Sequence, residues 1–149
     1  MLLAVLILPT VVYADSFTSA RGSGHFTFLG EWRTFSFTAH KDTDGNVTGQ
    51  AQTKNRYSGS KRHIVINCME DFGVNSVIVG GIITKSNDEN EIGQRVVFAV
   101  EDNGSGSNNL PDRLTGLFFL PPIPDIPDCA APPFEPPYVP IEAGNITLD

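Results

Sequence analysis

The sequence is poor in basic residues and has no long apolar run. Only 10 of its 149 residues are Lys or Arg, against 17 Asp and Glu, so the formal net charge is −7. This balance argues against a nucleic-acid partner, because neutralising phosphates requires a basic surface. No stretch reaches the roughly 20 apolar residues of a bilayer-spanning helix. We therefore expect membrane contact only if the apolar N-terminus stays uncleaved.

Motifs of the common enzyme classes are also missing. The three histidines show no HxH or HExxH spacing, and the two cysteines are too isolated from histidine to form a typical zinc set. GxSxG, GxGxxG and P-loop motifs are absent, and the SxxK match at Ser58–Lys61 lies in a predicted turn rather than a helix. We predict a protein that is not an enzyme and needs no cofactor or metal. The sequence leaves open a glycosidase, because the two catalytic carboxylates of such an enzyme are brought together by the fold and not by sequence spacing.

The N-terminus resembles an export signal. Leu2–Tyr13 carries no charge, and Val12-Tyr13-Ala14 has the small-x-small pattern of a cleavage site. We predict a signal peptide over residues 1–14 and a secreted or surface-exposed mature chain that begins at Asp15. The alternatives are an uncleaved anchor and a buried hydrophobic strand.

The chain contains two cysteines, Cys68 and Cys129. An even number in an exported chain favours a disulfide, and two cysteines allow a single connectivity. The alternative is a buried free thiol at Cys68 and an unrelated surface thiol at Cys129.

Alternating apolar and turn-forming segments predict an all-β fold over residues 15–120. Short connections at Asp42–Asn46, Ser58–Ser60 and Asp71–Gly73 place successive strands antiparallel. We predict a meander of about eight strands that forms a β-barrel or a strongly curved sandwich. The predicted strands are Gly24–Leu29, Trp32–His40, Val47–Tyr57, Arg62–Glu70, Val74–Thr84, Arg95–Asp102, Arg113–Leu120 and Asn145–Leu148.

Side chains alternate along the second predicted strand. One face is buried and the other is exposed to solvent. The first face carries Arg33, Phe35, Phe37 and Ala39, and the second carries Trp32, Thr34, Ser36, Thr38 and His40. These interior side chains either fill the barrel or leave room for one small ligand. The candidate interior residues are Phe26, Phe28, Phe35, Phe37, Ile64, Ile66, Val96 and Phe98.

The C-terminal region differs in composition. Pro121–Pro140 holds 9 of the 11 prolines, which exclude a regular ladder. It also carries Phe134 and Tyr138, which a disordered linker rarely needs. We predict a Pro-rich strap over residues 121–142 that packs on the barrel and leads into a closing strand over residues 143–149. The strap is a candidate cover for Val77–Ile83, which is apolar on both faces. The pair Gly80-Gly81 in this strand indicates a bulge, a sharp bend or a close approach of another chain or ligand.

Five potential cations surround one predicted hairpin: Lys54, Arg56, Lys61, Arg62 and His63. In a chain that is otherwise neutral to acidic, they are a candidate surface for an anionic polysaccharide, a cell surface or a protein partner. The alternative is that they solvate the hairpin and discourage edge pairing.

An oxygen-rich segment follows the sixth predicted strand. Its carboxylate and amide side chains are a weak candidate for Ca²⁺, which prefers such oxygens. A plain connecting loop explains the composition equally well. The candidate ligands are Glu101, Asp102, Asn103, Asn108 and Asp112.

Gly30-Glu31-Trp32 is similar to the GxW motif that opens the first strand of lipocalin-like and avidin-like barrels. This resemblance implies an eight-stranded barrel that carries one small apolar ligand. Here the motif follows the first predicted strand, which instead places Gly30 and Glu31 in a hairpin turn.

A broader resemblance covers most of the chain. In its turns and strand ends, the chain resembles a family of small β-rich domains in exported bacterial proteins. The matching segments are Gly22–His25, Asp44–Gln50, Val100–Gly104 and Gly144–Ile146. The family has no assigned activity, so the resemblance implies a shared fold and no catalytic residue. The Pro-rich segment with Cys129 departs from that pattern.

Three functional hypotheses follow from the sequence. The first is a secreted, non-catalytic binding or interaction module. The second is a calycin-like carrier of a small apolar ligand inside the barrel. The third is a structural subunit that self-assembles by donating a strand, such as the apolar N-terminus, to a neighbour's sheet edge.

Overall fold

A computed structural model describes residues 16–104, 110–130 and 137–149. The predicted signal peptide, Asn108 and part of the Pro-rich segment lie outside these residues. The all-β prediction is confirmed, and the described residues contain one short 3-10 turn, Glu89–Glu91. The strands are β1 (Ser19–Phe28), β2 (Glu31–Lys41), β3 (Val47–Asn55), β4 (Lys61–Gly73), β5 (Ser76–Ser86), β6 (Arg95–Glu101), β7 (Arg113–Leu114), β8 (Phe118–Phe119), β9 (Val139–Pro140) and β10 (Ala143–Leu148).

The strands form one antiparallel meander that curls into a half-barrel. Their order is β10-β1-β2-β3-β4-β5-β6-β7-β9, and β8 also pairs with β6. The two ends of this order, β9 and β10, are consecutive in the chain, so one segment connects both edges of the curled sheet. The predicted antiparallel meander is therefore confirmed.

The GxW residues belong to the β1–β2 hairpin. Leu29 and Gly30 both have positive φ angles, 53° and 76°. A two-residue loop with two positive φ angles is typical of a type I′ hairpin turn. Glu31 then opens β2, and Trp32 pairs with Thr27 across the hairpin.

The predicted strand Arg113–Leu120 is two short strands instead. Leu114 pairs with Val100, and Phe119 pairs with Val96. An advance of five residues from β7 to β8 is therefore matched by four residues on β6. The extra residue interrupts the ladder at Thr115, whose hydroxyl accepts a hydrogen bond from the Ala99 amide at 3.0 Å. A side-chain oxygen thus replaces a backbone carbonyl, which a strand pattern in the sequence does not reveal.

The inner face of the sheet forms the main core. Of the eight candidate interior residues, Phe28 is partly buried and the other seven are buried. The rings of Phe37 and Phe98 meet edge to face with centroids 5.5 Å apart, and those of Phe26 and Phe35 lie 6.0 Å apart. Edge-to-face pairs of this kind stabilise a core beyond the area that they bury.

A second, smaller core lies on the outer face of β5 and β6. Its buried residues are Ile78, Val97 and Ala99, and partly buried side chains packed against it include Cys129 and Tyr138 of the C-terminal segment. The described part of the Pro-rich segment therefore covers the outer face of a strand that is apolar on both sides.

The predicted disulfide is confirmed. Cys68 on β4 is bonded to Cys129, with the two Cα atoms 5.9 Å apart. The bond passes directly over Gly80, where a Cβ would lie 2.7 Å from the Cys68 sulfur and 2.9 Å from the Asp128 carbonyl oxygen. Glycine is required there because the C-terminal segment approaches the strand backbone so closely. The disulfide indicates an oxidising environment.

Arg95 on β6 also binds the segment that the disulfide attaches to β4. Its guanidinium donates to the Ile126 carbonyl at 2.8 Å and to the Asp128 carboxylate at 3.0 Å. It also donates to the carbonyls of Pro121 and Ile123, each at 3.3 Å. One fork of donors thus satisfies carbonyls that a proline-rich chain cannot pair in a ladder.

Within the described ranges, the structure has no helix with the length and apolar character that crossing a bilayer requires.

Candidate functional site

The predicted cationic residues line one groove on the curled sheet. All five lie there, and a sixth cation, Lys85 on β5, joins them. The groove has a volume of about 680 Å³, and none of its lining residues within the described chain is acidic. Its lining consists of Thr34, Phe35, Ser36, Gln52, Thr53, Lys54, Arg56, Lys61, Arg62, His63, Lys85, Ser86 and Asn87.

Strand register explains how these residues meet. Lys54 on β3 lies directly opposite Lys61 on β4. His63 lies between Gln52 on β3 and Lys85 on β5. These residues lie on the outer face of the sheet. Ser36 of β2 pairs with Gln52 and is exposed between two buried phenylalanines, which identifies the face that they share. Four strands thus bring residues far apart in sequence onto one polar face.

Repulsion between cations characterises the centre of this groove. The positive charges of Arg56 and then Lys61 lower the pKa of Lys54. Like charges placed directly opposite each other destabilise a pair of strands. The Lys54–Lys61 pair therefore opposes folding slightly, and an anion bound between the two residues would relieve the repulsion.

Arg62 differs from the other cations. Its guanidinium binds both carboxylate oxygens of Glu91, at 2.7 and 2.6 Å, and Ser86 also donates to Glu91 at 2.8 Å. Asp88 caps the short turn that carries Glu91 by accepting the Asn90 amide at 3.0 Å. Arg62 is thus charge-compensated and contributes less to an anion site than the sequence alone indicates.

Trp32 lies beside the groove. Its side chain is 48% exposed, the guanidinium carbon of Arg56 lies 5.9 Å from its ring centroid, and the His25 ring meets it edge to face at 5.2 Å. The alternation of β2 placed Trp32 on its outward face, but sequence reasoning did not connect Trp32 with the cations and overlooked Lys85. The place of Lys85 depends on pairing across β4.

His63 is held by neutral polar partners. Its Nδ1 lies 3.1 Å from the Thr84 hydroxyl and its Nε2 lies 3.1 Å from the Gln50 side-chain oxygen. These contacts orient the imidazole on the outer face.

The candidate calcium residues perform a structural task. Both oxygens of the buried Asp112 accept backbone amides, from Asn103 at 2.8 Å and from Ile146 at 2.7 Å. Asp102 accepts the amides of Gly104 and Leu148, at 2.8 and 3.1 Å. The two aspartates thus satisfy N–H groups along the otherwise open edge of β10, which is an end strand of the sheet.

Glu101 completes this region. Its carboxylate receives the Arg113 guanidinium at 2.8 and 2.7 Å and the Asn103 amide group at 2.7 Å. A Ca²⁺ ion bound to Glu101, Asp102 and Asp112 would have to displace these donors. The fifth candidate ligand, Asn108, lies outside the described residues.

The two carboxylate–arginine pairs predict acid sensitivity. Hydrogen bonding from Arg62 lowers the pKa of Glu91, and hydrogen bonding from Arg113 lowers the pKa of Glu101. A carboxyl group whose folded pKa is depressed stabilises the fold above its unfolded pKa, about 4.3, and loses that contribution as the pH falls through the folded pKa. We expect the free energy of unfolding to decline below about pH 4.3 in urea titrations.

Matched variants test whether the carboxylate of Glu91 contributes to this acid sensitivity. Glu91→Gln is expected to show a shallower acid decline than the wild type, whereas Glu89→Gln, an exposed change in the same turn, keeps the wild-type slope. Equal slopes in all three proteins would contradict the prediction.

A small cavity borders the inner face of the sheet and the basic groove. It measures about 160 Å³, and its walls include Phe26, Phe35, Phe37 and Phe98. Pockets for drug-sized ligands typically measure roughly 300–1,000 Å³. Side chains thus fill most of the interior, and a carrier of the predicted kind would have room only for a molecule near the size of benzene.

In comparisons with known proteins, no family model, no curated protein and no solved structure matched this chain. The predicted resemblances to exported β-rich domains and to calycins therefore stay predictions, as does strand donation by the N-terminus.

Proposed function

We propose that this protein is a secreted, non-catalytic binding module whose basic groove recognises an anionic polysaccharide. The observation that carries the proposal is the placement of Lys54 opposite Lys61, with Arg56 and Lys85 beside them and no acidic side chain in the described lining. An acidic residue opposite one of these lysines would stabilise the sheet, whereas the like-charge pair destabilises it. Anion binding gives a reason for this unfavourable pair.

The other groove residues suit a sugar. Thr34, Ser36 and Gln52 share the groove with the cations and supply hydroxyl and amide groups that both donate and accept hydrogen bonds. The exposed face of Trp32, next to Arg56, provides an apolar surface for the C–H face of a sugar ring. Cations, hydrogen-bonding groups and an aromatic face together favour acidic sugars over a simple anion.

The test is isothermal titration with oligogalacturonate, a linear polymer of uronic acid, and with a neutral galactan as the uncharged control. We expect saturable binding of oligogalacturonate that weakens as salt screens the charges, and no binding of the galactan. The double variant Lys54→Gln, Lys61→Gln is expected to weaken binding roughly tenfold.

Stability supplies a second readout. Removing the like-charge pair is expected to raise the free energy of unfolding slightly while it weakens binding. The matched control is Arg21→Gln, Lys41→Gln, which removes the same charge from residues outside the groove and should leave binding within twofold. Equal losses in both double variants would reduce the effect to net charge and overturn the proposed site.

A further inference from the structure

Alternate hairpins of the meander lie at the same end of the molecule. Since β1 to β5 follow one another as antiparallel neighbours, the β1–β2 and β3–β4 hairpins lie at one end of the sheet and the β2–β3 and β4–β5 hairpins lie at the opposite end. We call residues 29–32 and 54–61 the basic tips, and residues 42–46 and 70–75 the acidic tips. The two sets of tips differ in charge, and both expose large apolar side chains.

The basic tips expose apolar side chains on two adjoining hairpins. Leu29 is 81% exposed and Tyr57 is 83% exposed. The Arg56 amide donates to the Trp32 carbonyl oxygen at 2.8 Å, which fastens one hairpin to the other. Leu29 and Tyr57 therefore belong to neighbouring parts of one surface.

Cations dominate the charge of the basic tips. Glu31, the acidic residue within them, is paired with Arg33 at 2.9 Å. The β5–β6 connection at the same end carries the exposed Asp88 and Glu89 and is not part of the basic tips. The basic tips therefore present unbalanced positive charge beside two apolar side chains. Their cations are Lys54, Arg56 and Lys61.

The backbone of Leu29 is unfavourable for a leucine. Its φ of 53° lies in the left-handed region, which disfavours side chains with a Cβ, and a type I′ turn prefers asparagine or glycine there. Its side chain is also exposed to water. A contact that covers Leu29 would account for a leucine at a position where neither the turn nor the core requires one.

The acidic tips combine apolar side chains with the opposite charge. Val74 is 97% exposed at the end of the β4–β5 hairpin, and Phe72 close to it is also exposed. Lys41, at the end of β2, adjoins these tips as a cation. Negative charge nevertheless exceeds positive charge here, because four exposed acidic residues lie in the tips. They are Asp42, Asp44, Glu70 and Asp71.

A second copy of this chain fits these surfaces better than a lipid bilayer does. An anionic lipid surface would attract the basic tips but would leave Val74 and Phe72 exposed at the opposite end. A second copy covers apolar side chains of both sets of tips and brings opposite charges together. Because the two surfaces lie at opposite ends of one molecule, such a contact is heterologous and can repeat from molecule to molecule.

We infer that the basic tips of one molecule bind the acidic tips of a second copy, so that the protein associates end to end. This self-association goes beyond polysaccharide recognition, because it requires the acidic tips and also Leu29 and Tyr57, which do not line the groove. Lys54, Arg56 and Lys61 serve both contacts, so oligogalacturonate is expected to compete with association.

Sedimentation velocity at increasing protein concentration tests the association. Hairpin tips form a small contact, so we expect the mean sedimentation coefficient of the wild type to rise at high micromolar concentrations. The rise should continue past the dimer, because the contact repeats, and should diminish as salt screens the charges.

A double variant tests the apolar part of the contact. Leu29→Asn, Tyr57→Ser is expected to weaken association about tenfold, because it removes apolar area from the basic tips. Asparagine suits the turn, so the variant should fold, and its binding of oligogalacturonate should match the wild type. Val65→Thr, an exposed change on the outer face of β4, is the matched control and should associate like the wild type.

Exchange of charges tests which surfaces meet. Lys54→Glu, Arg56→Glu makes both sets of tips acidic, and Asp44→Lys, Glu70→Lys makes both sets basic. Each variant alone should sediment as a monomer, because like charges would face each other. An equimolar mixture should associate about as strongly as the wild type, since acidic tips again face basic tips. Recovery in the mixture also shows that both variants fold.

Several results would overturn the inference. They are a wild type that stays monomeric, a rise that stops at the dimer, undiminished association of Leu29→Asn, Tyr57→Ser, or no recovery in the charge-exchange mixture. Oligomers that resist sodium dodecyl sulfate and ignore salt would indicate strand donation instead. Pelleting of a monomeric wild type with phosphatidylserine vesicles, lost in Leu29→Asn, Tyr57→Ser, would assign the basic tips to a lipid surface. A wild type that associates but does not bind oligogalacturonate would overturn the proposed groove and leave this contact standing.

Discussion

Replacing Asp112 with alanine is expected to lower the free energy of unfolding by about 3 to 5 kcal/mol, because two charge-assisted hydrogen bonds to backbone amides are lost at once. Asp112 is 5% exposed, and its two oxygens hold the amides of Asn103 and Ile146. Water cannot readily replace an acceptor at this depth, so both N–H groups would be left unsatisfied. Urea denaturation followed by fluorescence measures the change.

Two further variants define the cause. Asp112→Asn retains one oxygen acceptor in nearly the same volume, and we expect it to lose about half as much stability as the alanine variant. Asp125→Ala removes the same charge from an exposed position and should change stability by less than about 0.5 kcal/mol. An Asp112→Ala protein that unfolds at the wild-type urea concentration would show that this carboxylate does not hold the edge of β10.

Reduction of the Cys68–Cys129 disulfide is expected to lower the free energy of unfolding by about 4 kcal/mol in the chain-entropy account. The cysteines are 61 positions apart, so the bond closes a long loop that the unfolded chain would otherwise explore freely. Reduction also releases one anchor of the segment that covers Ile78, Val97 and Ala99. Denaturation with and without a thiol reductant gives the difference directly.

The double variant Cys68→Ser, Cys129→Ser is the control. It should match the reduced wild type in stability and show no response to reductant. Binding of a fluorescent apolar dye should rise in both, because the outer apolar face of β5 and β6 becomes more accessible. If reductant left the wild-type denaturation curve unchanged, the cross-link would contribute nothing measurable to stability.

Sequence reasoning was strongest where the deciding interactions are local. The pattern of Phe35, Ser36 and Phe37 already distinguished the faces of β2, and the short Ser58–Ser60 connection already made β3 and β4 neighbours. Gly80-Gly81 signalled a bulge, a bend or a close approach, and the structure shows both a register shift opposite the pair and a close contact with the segment around Cys129.

The same reasoning failed where the partner is distant in sequence. Arg62 and Lys61 are adjacent in the chain, yet the carboxylate of Glu91 neutralises one and leaves the other beside Lys54. Asp112 resembled a cation ligand because the segment around it is rich in carboxylate and amide oxygens. Its actual partners are backbone amides, and the Ile146 amide is 34 positions away.

The sequence by itself determined the all-β class, the antiparallel order of successive strands and the single possible disulfide, because alternation, turn chemistry and cysteine count act over short distances or allow one solution. The tertiary structure alone decided which cations share a groove and which carboxylates close the sheet edge. Those outcomes depend on strand register and on contacts between residues far apart in the chain, and a pattern read along one strand contains neither.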